Sequence, residues 1–498
     1  MILGLGWPEL TALGALMGLG LTVLTARKDT TGVALGLSFA ATGALLAWGA
    51  SGGQSLATWV LIQIRFATGR VIGRDRWLRP VTDGTTSQAG RLREHVDLPG
   101  ELGRIHLLET TLHEDGTGPR IGIFHDRRAD TYTASLLVRS TSNFGLLGHT
   151  DQDRRLADWG AALEELARDD SPIRRVAWIE RTLPEPTDGL ADYLHQHRDP
   201  QLALDLSPVR SYLELLDQAG QTTDQHELVV VVQISGRAAR RGRRGHGWGK
   251  REAALRSIAA ELDLCAHALQ GAGLDVRKPL SAAALVATVR IGLDPWSRQI
   301  IERLLAPDTT DDEDDEPYDQ RAAGEAAMAG AGRVERWDHV LWDGSQHTTM
   351  WVSRWPRQPV RSMFLAPLLM RSETTRAVCV VMEILGPDRG LRQAETSVSD
   401  DESNDALRWR GGMRTKRAVA KREAANRDRE DELADGHIDI RWAGFVSVAT
   451  PGTDPTHRQR AVDRVKAQAS RCGMRLEVMS GQQADALTFV LPFARGLR

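Results

Sequence analysis

The chain has 498 residues, of which 41% are hydrophobic and 26% charged, with a formal net charge of −3. This length suggests two or three domains beyond any anchor, and the near-neutral charge argues against a general polyanion binder. The three cysteines lie far apart with no C-x-x-C spacing, so we expect buried structural thiols in a reducing compartment rather than a disulfide framework or a metal site.

Two apolar runs stand at the start of the sequence, at residues 10–26 and 32–50, with a short polar break between them. A transmembrane helix needs about 20 mostly apolar residues to cross a hydrocarbon core of about 30 Å. Both runs approach this length. Because the break between them is so short, the two helices must lie side by side and run antiparallel. Small-xxx-small pairs, Gly14 with Gly18 and Gly32 with Gly36, predict close helix contacts. The sequence therefore predicts a transmembrane hairpin.

Basic residues follow the second apolar run and indicate the side of the membrane. Cytoplasmic flanks of transmembrane helices carry an excess of arginine and lysine. We therefore predict a two-pass plasma-membrane protein with both termini and the bulk of the chain in the cytoplasm. The alternatives are a signal peptide for the first run and a helical hairpin in a soluble core. The predicted membrane-exit residues are Arg65, Arg70, Arg74, Arg76 and Arg79.

Beyond the predicted anchor and exit segment (1–80), strand and helix patterns alternate in two stretches, which predicts an α+β fold. In the first (81–306), the order strand, helix, strand, strand, helix, strand is that of a ferredoxin-like (split βαβ) unit. The second (320–498) ends in a strand-helix-strand-strand set of similar order, without a close sequence repeat. The strands predicted in these two domains are 104–111, 120–125, 131–139, 174–181, 228–234 and 275–278, then 363–369, 377–385, 445–449, 475–478 and 487–491.

Three further segments complete the predicted organisation. Residues 307–319 are acidic and poor in apolar residues, which is typical of a solvated linker. Residues 334–352 predict a hairpin that turns at Asp343 and Gly344. Residues 405–434 form a charged helical pattern with hardly any apolar stripe, so we expect this helix to project into solvent or to contact a partner.

The best match to a phosphate-binding loop lies at residues 245–251, and it fails. Such a loop needs glycine, four residues, then Gly-Lys-Ser/Thr. Arg244 stands at the first glycine position and Arg251 at the hydroxyl position, so no ATPase motor is predicted. The basic residues here are instead candidates for contact with a polyanion or anionic lipid; the alternative is an exposed loop without a specific ligand. These candidates are Arg237, Arg240, Arg241, Arg243, Arg244, Lys250 and Arg251.

Other kinds of site have weaker support in the sequence. His339 and His347 flank the predicted hairpin, but no third compact ligand group accompanies them, so ordinary strand residues are the favoured interpretation. No G-x-S-x-G element or local cysteine–histidine signature marks a nucleophile. We therefore predict no catalytic residue, no cofactor and no metal site.

Several short segments carry a resemblance to a known family. The hairpin, its arginine-rich exit and residues 131–138 (TYTASLLV), 156–160 (LADWG) and 176–180 (VAWIE) resemble a group of actinobacterial membrane proteins with a PrgI-like anchor. That group is encoded with conjugation and type IV secretion components. The ending is similar to the close of the amino-terminal domain of VirB-type secretion ATPases, through residues 444–448 (GFVSV), 473–476 (GMRL), 481–483 (GQQ) and 491–492 (LP).

The resemblance implies a PrgI-like hairpin fused to a motor-free version of the membrane-proximal domain of the ATPase. The expected function is a non-enzymatic scaffold of a type IV-like secretion or conjugation apparatus. Its expected partners are a separate VirB-type ATPase, other secretion-channel membrane subunits, membrane lipid, transferred DNA and further copies of this chain in a homo-oligomer. A component of a type VII secretion membrane complex, a membrane-tethered enzyme and a DNA-contacting module remain as alternatives.

Overall fold

The computed structural model forms two compact units: Met1–Arg74 with Leu385–Asp439, and Asp75–Ile384 with Ile440–Arg498. We refer to these as unit 1 and unit 2. The structure describes residues 7–27, 29–51, 54–79, 99–113, 118–140, 144–168, 170–184, 207, 209–211, 224–242, 249–298, 300–301, 328, 330–370, 374–386, 433 and 438–497.

Unit 1 contains the two apolar helices that the sequence predicts. Helices α1 (Trp7–Ala26) and α2 (Thr30–Trp48) pack side by side, and the carboxylate of Asp29 caps α2 by accepting from the Gly32 amide at 2.9 Å. A short strand pair, β1 (Ala50–Ser51) and β2 (Gln54–Ser55), then leads into a third helix. This helix, α3 (Leu56–Val71), is not predicted from the sequence.

Of the glycines in the two predicted pairs, Gly36 lies at the close contact between α1 and α2, and its partner there is Gly20 rather than Gly14 or Gly18. A Cβ added to Gly20 would lie 2.9 Å from the Gly36 carbonyl oxygen, whereas nothing lies within 4 Å of a Cβ at Gly14 or Gly18. Residues on one face of α1 recur three and four apart. Leu16 and Gly20 share the face that meets α2, and Gly14 and Gly18 lie off it.

Unit 2 is built on one antiparallel sheet of thirteen strands. The main path follows β3-β10-β11-β12-β14-β13-β7-β8-β6-β5-β4, with β15 paired to β12 and β9 paired to β6. The strands are β3 (Arg76–Leu78), β4 (Ile105–Thr111), β5 (Arg120–Asp126), β6 (Thr131–Ser140), β7 (Ile173–Pro184), β8 (Asp224–Ser235), β9 (Leu274–Pro279), β10 (Gly332–Glu335), β11 (Val340–Trp342), β12 (Ser345–Arg354), β13 (Arg376–Leu385), β14 (Asp439–Pro451) and β15 (Arg475–Val478).

The sheet repeats one arrangement twice. Strands β6, β7, β8 and β9 lie in the order β9-β6-β8-β7, and β12, β13, β14 and β15 lie in the order β15-β12-β14-β13. In each set a preceding hairpin, β4–β5 or β10–β11, pairs with the beginning of the first strand, and the fourth strand pairs with its end. The two sets join edge to edge where β7 pairs with β13.

Helices cover both faces of this sheet. Within the described residues, the helices of unit 2 are α4 (His149–Leu166), α5 (Gly236–Gly242), α6 (Lys250–Gly271), α7 (Ala282–Leu293), α8 (Ala366–Leu369), α9 (Pro455–Arg471) and α10 (Gln483–Leu487). Helices α4 and α6 pack together on the first set, and α8 and α9 pack with Val446 and Leu476 on the second. On the opposite face, α7, α10 and the Phe493 region form one core with Val229, Cys379 and Phe445.

Two predicted strands are wrong. Residues 363–369 form a turn and helix α8, and residues 487–491 form the end of α10 and the 3-10 turn Thr488–Val490. Short apolar runs suit a strand or a buried helical turn equally, and here packing against the sheet decides. The acidic segment 307–319 lies outside the described residues, as does the charged segment 405–434 except for Leu433. The three cysteines are free and buried, as predicted.

Candidate functional site

The basic segment singled out in the sequence lies at one end of the first strand set. Helix α5, which follows β8 directly, carries Arg237, Arg240 and Arg241, and α6 begins with Lys250 and Arg251. Arg243 and Arg244 lie outside the described residues. Helices α5 and α6 pack against each other.

Arg240 is a structural tether rather than a free ligand group. Its guanidinium donates to both oxygens of Asp130, at 3.2 and 2.6 Å, and the Gly236 amide donates to the Asp130 carbonyl at 2.8 Å. Asp130 sits in the β5–β6 turn with a positive φ of 50°. The hydrogen bond to Asp130 raises the pKa of Arg240. This pair fixes α5 to the turn.

A further arginine joins the group from that turn. Arg127 and Arg251 both act electrostatically on His125, which stacks on Tyr132 with ring centroids 4.2 Å apart. Burial is the main cause that lowers the pKa of His125, so its imidazole is neutral at pH 7. We call the exposed cations of this turn, of α5 and of the start of α6 the basic surface: Arg127, Arg237, Arg241, Lys250 and Arg251.

The basic surface is suited to phosphate groups. Clustered Lys and Arg side chains bind phosphates by displacing counterions from a polyanion, or bind anionic headgroups at a bilayer. The first turn of α6 adds partial positive charge, since Gly249 provides no side-chain cap to its amides. No pattern in the sequence marks Arg127, because it joins this end of unit 2 through the pairing of β5 with β6 and of β6 with β8.

The predicted membrane-exit arginines are divided between the two units. Arg65 and Arg70 lie on α3 and Arg74 follows it, all in unit 1. Arg76 belongs to β3, which pairs with β10 at the edge of the large sheet, and the Arg79 amide donates to the Ala331 carbonyl at 3.0 Å. The last two therefore take part in the sheet of unit 2.

A small cavity of about 20 Å³ lies where the two strand sets meet, beside His347, Arg181 and Arg376. His347 Nε2 and the Leu293 carbonyl oxygen are 2.7 Å apart, and burial lowers the pKa of His347 to about 4. The neutral imidazole therefore donates to α7. A cavity of this size holds about one water. The polar groups here join α7 to the sheet.

A second cavity, of about 60 Å³, lies beside the segment that follows the 3-10 turn Thr488–Val490. Arg175 donates to the Leu497 carbonyl at 2.6 Å, Gln233 donates to the Phe493 carbonyl at 2.9 Å, and Asp126 accepts from Arg495 at 2.6 Å. These side chains hold residues 493–497 across the sheet. The polar lining of this cavity is therefore engaged in fixing the chain.

Among the residues that the structure describes, no group of three or more His, Cys, Asp or Glu side chains is arranged to hold a metal ion. His339 instead pairs with Asp338 at 2.8 Å, and His347 is bonded to α7. Comparison with known proteins leaves the family open: no family model matches the chain, and no curated protein matches it significantly.

Proposed function

We propose that this protein is a non-enzymatic, membrane-anchored scaffold of a type IV-like secretion or conjugation apparatus, which docks a separate cytoplasmic ATPase. The observation that carries the proposal is the α1–α2 hairpin. Both helices are long and apolar enough to cross a membrane, and only 6% of the apolar window of α1 and 22% of that of α2 is buried. The core helices of a soluble protein would be mostly buried, so lipid is the natural cover for these faces.

The construction of unit 2 supports a docking role. Unit 2 is a broad sheet made of two similar strand sets, and its buried polar side chains, such as Arg175 and Gln233, bind backbone groups of the same chain. We interpret each set as a ferredoxin-like unit, on the strength of its element order. The arginines of α3 favour a cytoplasmic body in a two-pass plasma-membrane protein, in keeping with the positive-inside rule.

Affinity capture tests the docking proposal. The full-length chain is expressed together with the secretion ATPase encoded near it, and captured from membranes in several mild detergents. We expect the ATPase to elute with the chain, and a variant that lacks residues 405–434 to remain in the membrane fraction but to lose the ATPase. Absence of the ATPase from the full-length eluate in every detergent would contradict the proposal.

The basic surface supports a second candidate function, contact with transferred DNA. Its five exposed cations lie within one end of unit 2, and Arg240 with Asp130 holds that end in place. Phosphate contacts of this kind are independent of sequence and weaken steeply with salt. A DNA-contacting role would accompany the scaffold role.

A further inference from the structure

Helix α3 is too short to be a third membrane span. It has 16 residues, and at 1.5 Å per residue its length is about 24 Å, below the hydrocarbon thickness of about 30 Å. Its polar residues also divide it, since Gln63, Arg65 and Arg70 lie within it. The helix nevertheless has exposed apolar side chains along one line, so these side chains need a different cover.

The start of α3 is fixed at the open end of the hairpin. The Ser55 hydroxyl caps the helix by accepting from the Thr58 amide at 3.2 Å, and it also donates to the carboxylate of Glu9 in the first turn of α1. Thr58 donates to the same carboxylate at 3.4 Å. The Glu9 carboxylate and the hydroxyls of Ser55 and Thr58 therefore lie together. Because such polar groups favour water, we take their position as the depth at which the hairpin reaches the membrane–water interface.

Beyond this first turn, several apolar side chains of α3 are exposed. Ala57 is buried, but Leu61 is 53% exposed, Ile64 55% and Val71 88%. Their spacing of three and seven residues lines them up on one helix face. Arg70, in the last turn, lies off this face, and Gln63 lies on the opposite side. A helix with an apolar stripe beside arginines is suited to lie in a bilayer interface.

From these observations we infer that α3 lies in the headgroup region of the bilayer leaflet at the open end of the hairpin. Leu61, Ile64 and Val71 then lie at the boundary with the acyl chains, and the arginines of α3 contact anionic headgroups. This inference rests on the proposed membrane insertion of the hairpin. We infer that lipid rather than protein covers these apolar side chains for two reasons. They follow directly on the end of the hairpin where Glu9 and Ser55 are hydrogen-bonded. Arg65, Arg70 and Arg74 also add positive charge beside them.

Fluorescent probes on the full-length protein test the inference. Single cysteines at Leu61, Ile64, Gln63 and Leu37 are labelled with an environment-sensitive dye; the three native cysteines are buried. The proteins are reconstituted into vesicles of phosphatidylcholine mixed with phosphatidylglycerol. We expect the probes at 61 and 64 to be quenched by lipids labelled near the headgroup, the probe at 63 by aqueous iodide, and the probe at 37 by lipids labelled deep in the chain.

The probe at position 37 separates the failure of the inference from the failure of the proposed function. If it is quenched by deep lipid while 61 and 64 are quenched by iodide, the hairpin inserts and α3 does not lie in the interface. If 61 and 64 are shielded from both iodide and lipid, another chain covers the stripe, and the inference is again overturned. Quenching of 37 by iodide overturns the anchor and the inference together.

A charge variant tests the headgroup contact. Arg70→Gln is expected to lower the equilibrium constant for binding of α3 to the surface of anionic vesicles about fivefold. Each arginine near such a surface contributes about 1 kcal/mol to the binding free energy. On neutral vesicles the variant and the wild type should behave alike. Arg460→Gln, an exposed arginine on α9 of unit 2, is the matched control. An equal effect of both changes, or none from Arg70→Gln, would contradict the role of charge.

Discussion

Gly20 and Gly36 face each other across the α1–α2 hairpin, so closely that a Cβ on Gly20 would lie 2.9 Å from the Gly36 carbonyl oxygen. We expect Gly20→Leu to push the helices apart and to destabilise the hairpin by about 1–3 kcal/mol. Gly14→Leu, at a position with nothing within 4 Å, should be tolerated. Thermal unfolding in detergent, followed by circular dichroism, checks this; equal loss in both variants would mean that α1 uses another face.

Gln483 completes the hydrogen bonding of β12. Its side-chain oxygen accepts from the Thr349 amide at 2.8 Å and its nitrogen donates to the Thr349 carbonyl at 3.0 Å, in a fully buried site. Gln483→Leu removes this partner of the buried Thr349 amide, which costs about 1–3 kcal/mol. The Thr349 carbonyl still accepts from the Met479 amide at 3.1 Å. We expect a clearly lower urea midpoint, whereas Gln482→Leu at the half-buried neighbour should change little. A midpoint equal to wild type for Gln483→Leu would refute this role.

Arg181, a buried side chain of β7, pairs with the half-buried Glu227 of β8 at 2.6 Å and also donates to the Thr288 carbonyl on α7. Glu227 keeps a second partner, Arg298, at 3.5 Å. A hydrogen bond to a charged group contributes about 1.5–3 kcal/mol, so we expect Arg181→Met to lower the free energy of unfolding by about 2 kcal/mol, with partial recovery in the double variant with Glu227→Leu. Arg154→Met, which breaks an exposed pair with Asp151, should cost less than about 1 kcal/mol.

The buried imidazole of His347 makes stability depend on pH. Its pKa is lowered from 6.5 to about 4 by burial, against the opposing effects of its hydrogen bond to Leu293 and of Asp294. Between these pH values the unfolded chain binds more protons, so the free energy of unfolding decreases as pH falls from 6.5 towards 4. The slope from this residue is at most about 1.4 kcal/mol per pH unit.

The variant His347→Gln isolates this contribution. Its side-chain amide keeps a donor for the Leu293 carbonyl but does not titrate in this range. Urea unfolding of both proteins at pH 7 and pH 5 should therefore give a larger loss for the wild type than for the variant. Equal losses would show that other groups govern the pH dependence.

The basic surface is tested by salt-dependent binding of a polyanion. Binding of fluorescent double-stranded DNA to the detergent-solubilised full chain should weaken with salt, with a slope of log K against log salt of about −0.9 per phosphate contact. Arg237→Gln with Arg241→Gln should make the slope shallower by about 2. The control pair, Arg357→Gln with Arg460→Gln, removes two exposed charges elsewhere. Matching slopes in the two double variants would rule out a specific surface.

The sequence predicted local elements well where one pattern dominates. The two apolar runs became α1 and α2, and the turn at Asp343 and Gly344 joins β11 to β12 as expected, with Trp342 paired to Ser345. Helix α3 escaped prediction because its apolar residues nearly surround the axis and arginines interrupt them. The strands predicted near 363–369 and 487–491 failed because short apolar runs carry no period that separates strand from helix.

The candidate site was predicted in its residues and not in its arrangement. The sequence picked out Arg240 and Arg241 as equal members of one basic segment. In the structure Arg240 is bound by Asp130, Arg241 is exposed, and Arg127 joins from a distant turn. These roles depend on which strands pair, and a charge pattern along the chain carries no information on pairing.

By itself the sequence determined the length and apolarity of α1 and α2, most strands of the large sheet, and the excess of arginines that follows the hairpin. Only the tertiary structure decided that Gly20 rather than Gly14 meets α2, that β7 and β13 join the two strand sets, and that Arg240 is a tether. Propensity and periodicity act between near neighbours in the chain. Steric fit and ion pairing act between residues that only folding brings together.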